Sequence, residues 1–237
     1  MTTNTFKIET LIDLPHDDTV YRCVQGGGSD GKYAYYVMND GGSEEFTRCR
    51  LLKYDLKTWT LQCSLEDQYY NHANDICYDA ARDQMVICHN QFYRKRISYF
   101  DRETLENRGF ADLDGAEWMF AVDYNKKRGQ YVIGMGGTYD TGIADGAFRL
   151  QSVLPGIYTG YVKQGMYCDD DTIYYIFSVP NLSVNYLYCY DWDGELKERI
   201  QIPIWGECEN IFKDGDSFIL GFNCPGKGCP VYRVTIS

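Results

Sequence analysis

The sequence predicts an all-β chain folded as one five-bladed β-propeller domain over residues 1–237, with four antiparallel strands to a blade. Three observations carry that expectation. A strand-turn-strand unit recurs five times at a nearly constant spacing, and periods of roughly 40 to 50 residues are the mark of propeller blades. The 22 Tyr and 11 Phe lean the composition towards strands, and no run reads as a helix of normal length. The fifth unit is one strand short, while residues 6–14 form a strand-like run with no local partner.

The unit is plainest from Lys163 to Phe177, where a polar start leads into a short apolar strand, the acidic turn Asp169-Asp170-Asp171 and the aromatic strand Ile173-Tyr174-Tyr175-Ile176-Phe177. Anchored on the residue five before the turn aspartate, it recurs at Gln25 (Asp30), Asn74 (Asp79), Trp118 (Asp123), Gln164 (Asp169) and Glu209 (Asp214), in steps of 49, 44, 46 and 45 residues. Inner strands are therefore expected near 25–30, 74–79, 118–123, 164–169 and 209–214. Two residues after the anchors stand Gly27, Ile76, Phe120, Met166 and Ile211, four of them apolar, as a strand packed on its neighbours requires. The Asp/Asn/Gly turns that follow suit antiparallel connections. Third strands ending in Tyr54-Asp55, Phe100-Asp101 and Tyr190-Asp191 complete the pattern in three copies, with fourth strands near 59–65, 105–113 and 196–204. In the third copy the outer strands between Gly136 and Gly156 do not separate by pattern. The economical ring has residues 6–14 complete the last blade beside residues 230–236, which removes two exposed sheet edges.

Composition narrows the partners. A net charge of −11, from 34 acidic against 23 basic residues, repels phosphate backbones and anionic lipid, so neither nucleic acid nor a membrane is expected as a partner. No apolar run is long enough to span a bilayer and the first residues do not read as a signal peptide, which points to a cytoplasmic and monomeric protein. The ten cysteines lie mostly in strand-like runs and read as buried thiols. Cys224 and Cys229, five apart in a Gly/Pro loop, are expected as free thiols. A disulfide between them stays open, and no second pair or spaced histidine completes a zinc set.

In such a ring the start of each inner strand and the loop between second and third strands share one rim around the channel, where binding groups are cheapest to vary. That places Gln25, Asn74, Trp118, Gln164 and Glu209 around the channel mouth, with His72, Asp75, Glu117, Lys163, Glu207 and Asn210 beside them and with His89 and Tyr70 in the rim loops. Amides, carboxylates and an indole suit a glycan, a peptide group or a protein surface. They equally suit capping of the inner strands and holding of channel water. Glu207 and Glu209, two apart on an extended segment, face one side, and the mutual repulsion of two such acids raises one pKa into the range of a general acid. The leading expectation is non-catalytic recognition at the rim; the alternative is an enzyme acting there on a small polar substrate, with Glu209 and Glu207 as its acid and base. No cofactor is expected, save that five oxygen-bearing side chains could ligate a calcium ion in the channel.

At Gln164-Gly165-Met166 with Ile173-Tyr174-Tyr175, and at Glu207-Cys208-Glu209, the chain resembles five-bladed propellers of the bacterial and plant glutaminyl cyclotransferase type. It also resembles the propeller heads of phage receptor-binding and teichoic-acid-associated proteins. The cyclotransferase-like pattern opens one blade with Gln-Gly-Leu, matched by Gln164-Gly165-Met166, and another with Asn-Glu-Leu-Glu-Tyr, of which Glu207 and Glu209 match the acids. Gly206 and Asn210 replace its Asn and Tyr. The resemblance spans nearly the whole chain and implies the propeller fold; a cyclotransferase-like activity is implied only through Gln164, Glu207 and Glu209.

Overall fold

Each inner hairpin is closed by local turn chemistry, and the five hairpins set the ring. In the computed structural model, which describes residues 4–17, 19–42, 47–156, 159–179, 181 and 183–237, the carboxylate or amide oxygen of Asp30, Asp79, Asn125 and Asp169 accepts a bond from the backbone N–H three residues on, at 2.7 to 3.2 Å. These are the side-chain turns that Asp and Asn favour. The fifth hairpin turns instead through Gly215 at φ 60°, between the paired Asp214 and Ser217.

The inner strands are Cys23–Ser29, Asp75–Asp79, Met119–Asn125, Val162–Cys168 and Glu207–Asp214. Each heads a four-stranded antiparallel sheet, so the chain is a five-bladed propeller. In the third blade the expected register is two residues early. Asn125, not Asp123, opens the turn and pairs with Gln130, so Phe120 rather than Trp118 is the equivalent of Gln25. The corrected anchors Gln25, Asn74, Phe120, Gln164 and Glu209 are 49, 46, 44 and 45 apart. Its outer strands, which pattern did not separate, are Thr141–Asp145 and Leu150–Leu154.

The composite blade forms as expected. Phe6–Leu14 pairs antiparallel with Cys229–Ile236, from Phe6 opposite Ile236 to Leu14 opposite Cys229, and the sheet continues through Ser217–Asn223 to Glu207–Asp214. The core is five apolar wedges, one in each seam between neighbouring blades; Val24, Tyr36 and Leu52 of the first blade, for instance, meet Phe212, Ile219 and Val231 of the fifth. Burial of this kind is the main favourable term in folding. At the axis the blades approach closely: a Cβ on Gly26 would lie 2.7 Å from the Asp75 Cα, and one on Gly165 2.6 Å from the Glu209 carbonyl oxygen. Glycine at these two positions is a packing requirement.

The expected open channel is closed at its waist. Asp75 is fully buried, and its carboxyl accepts from the N–H of Ile76 at 2.9 Å and, across the axis, from Val122 and Met166 at 3.3 Å each. One side chain thus ties three blades together and divides the axis into two bowls.

Candidate ligand-binding cavity

Four of the five inner strands carry a β-bulge at the same level. The extra residue is Gln25 in the first blade, Phe120 in the third, one of the Gln164-Gly165 pair in the fourth and Glu209 in the fifth. A bulge re-aims side chains out of strict alternation. Here it brings Gln25, Phe120, Gln164 and Glu209 to the wall of one cavity of about 720 Å³ on the upper side of the waist, and lets the adjacent Lys163 and Gln164 line it together.

The floor is a carboxyl pair held by amides. Gln164 Nε2 donates to Glu207 Oε1 at 2.8 Å, and Asn223 Nδ2 donates to Glu209 Oε1 at 2.8 Å while its amide also exchanges bonds with the Val24 backbone. The two carboxyl groups hydrogen-bond to each other. Burial first, and then the neighbouring Glu207 charge, hold Glu209 well above the usual carboxylate range. Burial also raises Glu207, opposed by the bonds from Glu209 and Gln164. Both effects favour the protonated form of Glu209, which makes it the donor of the pair.

On the opposite wall a chain of amides orients the indole. Trp118 Nε1 donates to Asn90 Oδ1 at 2.7 Å, Asn90 Nδ2 donates to Asn74 Oδ1 at 3.3 Å, and Asn74 Nδ2 donates to the Phe120 carbonyl at 2.6 Å. The indole ring lies against Gly136, where any Cβ would fall within 2.2 Å of it. His72 is held by a 2.6 Å bond between Nδ1 and the Gly42 carbonyl. Lys163 donates from Nζ to the Tyr139 carbonyl at 2.8 Å and sits 3.6 Å from the Tyr175 ring centre; burial pushes its amine down to about 7, with Asp140 opposing. Gln25 is buried, lines the cavity and makes no side-chain hydrogen bond among the described residues.

Of the residues expected at the mouth, Gln25, His72, Asn74, Trp118, Gln164, Glu207 and Glu209 line this cavity together with Lys163. Five lie elsewhere. Asp75 is the waist. Asn210 is fully buried against Gly27 and Gly221, with neither amide atom bonded. Tyr70 is a core residue with its ring edge-on to His89, and His89 bonds Ser98 Oγ at 2.8 Å with its imidazole pushed down to about 4 by burial. Glu117 borders a separate shallow groove with Tyr93 and Arg94. The physical reason is common to these: loop or inner-strand position alone does not fix side-chain direction, and four of the five turn into protein. Residues 43–46, 180 and 182 of two expected rim loops lie outside the described residues.

Sequence reading placed Asn90 and Tyr139 only as members of the rim loops 89–95 and 136–145, and missed Asn223. Asn223 had a signal, since it ends the second strand of its blade as Ser178 does in the fourth, and both latch to the next blade, Asn223 to Val24 and Ser178 to Cys208. Cys224 and Cys229 are free thiols whose Sγ atoms face the carbonyls of Trp205 and Arg22. Among the described residues no three His, Cys, Asp or Glu side chains converge as a metal-holding group. The lower bowl is larger, about 1070 Å³, yet its groups answer one another, with Lys213 Nζ 2.8 Å from Asp169 Oδ2 and 2.7 Å from Tyr174 Oη.

No protein-family model and no curated protein matches the sequence. Solved structures do match in fold. The tail fiber of Staphylococcus aureus phage P68 aligns with a TM-score of 0.68 at 12% identity, over 97% of this chain and 52% of that one. A luciferin-regenerating enzyme aligns with 0.57 at 11% identity, over 98% and 95%. Kuenenia stuttgartiensis hydrazine synthase aligns with 0.50 at 13% identity, over 95% and 65%, so this chain spans just under two thirds of that protein and about half of the tail fiber. At such identities the likeness concerns the fold, which enzymes and a fiber share.

Proposed function

We propose that the upper cavity recognises a small, neutral, polar group carrying hydroxyls or an amide, such as a glycan end or a peptide side chain. The observation that carries this reading is Gln25: a buried amide at the cavity with no partner among the described residues, in a wall whose other amides are wired to fixed neighbours. Buried amides are satisfied in folded proteins, and a ligand hydroxyl or amide meets that need. Trp118 adds a flat apolar face of the kind that sugar rings and peptide planes stack on. The ten free thiols and the acidic surface support the accompanying reading, a monomer acting in a reducing compartment without nucleic acid or membrane.

Titration calorimetry against a panel of oligosaccharides and glutaminyl or asparaginyl peptides tests it. Gln25→Ala and Trp118→Ala should each weaken the hit about tenfold, the equivalent of ~1.4 kcal/mol, with unchanged melting. A hit that both variants bind as tightly as the parent would move the site elsewhere.

A second reading, catalysis, is favoured by one feature, the close pair Glu209 and Glu207, with Glu209 held well above the usual carboxylate range by burial, inside a ligand-sized cavity. If the pair works as acid and base, Glu209→Gln should remove turnover of glutaminyl peptides or glycosides by about a hundredfold or more while binding persists. A panel on which the parent shows no turnover would leave recognition as the function.

A further inference from the structure

Lys163 is a cavity group whose chemistry neither reading uses. Lys163 is buried and lines the cavity, its Nζ stands 3.6 Å from the Tyr175 ring centre, and its hydrogen bond goes to the neutral carbonyl of Tyr139. Among the described residues no carboxylate lies within ion-pair distance of it, although the chain carries 34 acids. Burial outweighs the attraction of Asp140 and favours the uncharged amine, which is a nucleophile.

A proton donor stands close in the chain. The bulge brings Lys163 and Gln164 to the cavity side by side, and Gln164 holds Glu207 beside Glu209, whose protonated form burial favours. An amine and a carboxylic acid in one cavity are the two groups that imine formation needs.

We infer that Lys163 captures an aldehyde or ketone, such as an open-chain sugar, as a reversible imine in the upper cavity. The Nζ lone pair adds to the carbonyl carbon and the oxygen takes up a proton. The resulting carbinolamine then expels that oxygen as water, with a proton from the Glu209–Glu207 pair that the nitrogen's lost proton restores. The net change is amine plus carbonyl to imine plus one water, with nothing oxidised or reduced. This rests on the cavity being the ligand site proposed above. The carbonyl requirement is new.

The test is reductive trapping. Wild-type protein is incubated with glyceraldehyde and cyanoborohydride from pH 6 to 9, and adducts are mapped by peptide mass spectrometry. The Lys163 peptide should gain the adduct more than about tenfold faster at pH 7.5 than peptides carrying the exposed Lys57 and Lys126. Its rate should level off above a midpoint near 7, where burial has placed the amine. Lys163→Met, which keeps a long apolar side chain there, should lose that adduct and no other. Labelling of Lys163 no faster than of the exposed lysines, or a rate still climbing at pH 9, would overturn the inference. Neither outcome depends on the calorimetric panel: binding without fast Lys163 labelling defeats the imine alone, and fast labelling without any panel hit defeats only the ligand class.

Discussion

Two buried aspartates do opposite electrical work to what their charge suggests. Asp75 and Asp123 each use a carboxyl oxygen to receive a backbone N–H from another blade, Asp123 from Cys168 at 2.6 Å. Burial outweighs those bonds, so Asp75 stays well above the usual carboxylate range and Asp123 is raised to about 7. For Asp123 the consequence can be signed. Between about pH 4 and 7 the unfolded chain has released this proton and the folded chain has not, so folding stability falls as pH rises through that window and the loss is complete above 7. Asparagine still accepts the Cys168 bond but has no proton to lose. Urea unfolding of the parent and Asp123→Asn should therefore give a stability difference that shifts in favour of the variant by on the order of 4 kcal/mol between pH 4 and 7.5, an upper figure from 1.36 kcal/mol per pKa unit. Parallel curves for the two proteins would show that Asp123 is ionised throughout.

At the scale of strands and turns, what was legible and what was not divide along physical lines. Hairpin turns were legible because Asp and Asn close them through their own side chains, as Asp30, Asp79 and Asp169 do. The third blade misled because Asp123 and Asn125, two apart on one strand, point the same way and both suit a turn, yet only Asn125 bonds the N–H three residues on. Its outer turn was hidden for a similar reason. Asp145 bonds the N–H of Ala147 and Arg149 and so plays the part of Asp55 and Asp101, but it follows Ala144 where the other copies have Tyr54, Phe100 and Tyr190. Most of the cavity wall was legible because side chains at a repeated register converge in a ring. The bulges that aim them were not, since a bulge is a property of the pair of strands and leaves no mark in one of them. Asn210, Tyr70 and His89 show the limit: polarity at the rim gave their place in the chain, and packing against neighbouring strands gave their direction.

At the scale of the molecule, the ring is shut by pairing rather than by packing alone. The N–H of Thr5 donates to the Ser237 carbonyl at 2.7 Å and the N–H of Ser237 returns a bond to Thr5 at 3.1 Å, so the composite blade is laced along its whole edge. Blade-to-blade contact elsewhere relies on apolar wedges and single latches such as Asn223 to Val24. If the shared sheet is what closes the circle, its place in the ring should not matter. Joining residues 5 and 237 through a short Gly/Ser linker and reopening the chain in the turn between Asp191 and Glu195 turns the fourth blade into the composite one, with Leu196–Ile202 now the first strand and Asn185–Tyr190 the last. What is given up is local to that turn: the backbone bonds of Asp191 with Glu195 and Gly194, and the bonds of the Asp191 carboxylate to Asp193, Glu195 and Lys197. Reopening after Gly160 instead leaves five unbroken blades and no laced seam. The first permutant should melt within a few degrees of the parent, and the second lower by roughly 5 °C or more, given that 1 kcal/mol moves a chain of this size by about 2–4 °C. Equal melting of the two permutants, measured by circular dichroism at matched concentration, would mean that the wedges close the ring without the shared sheet.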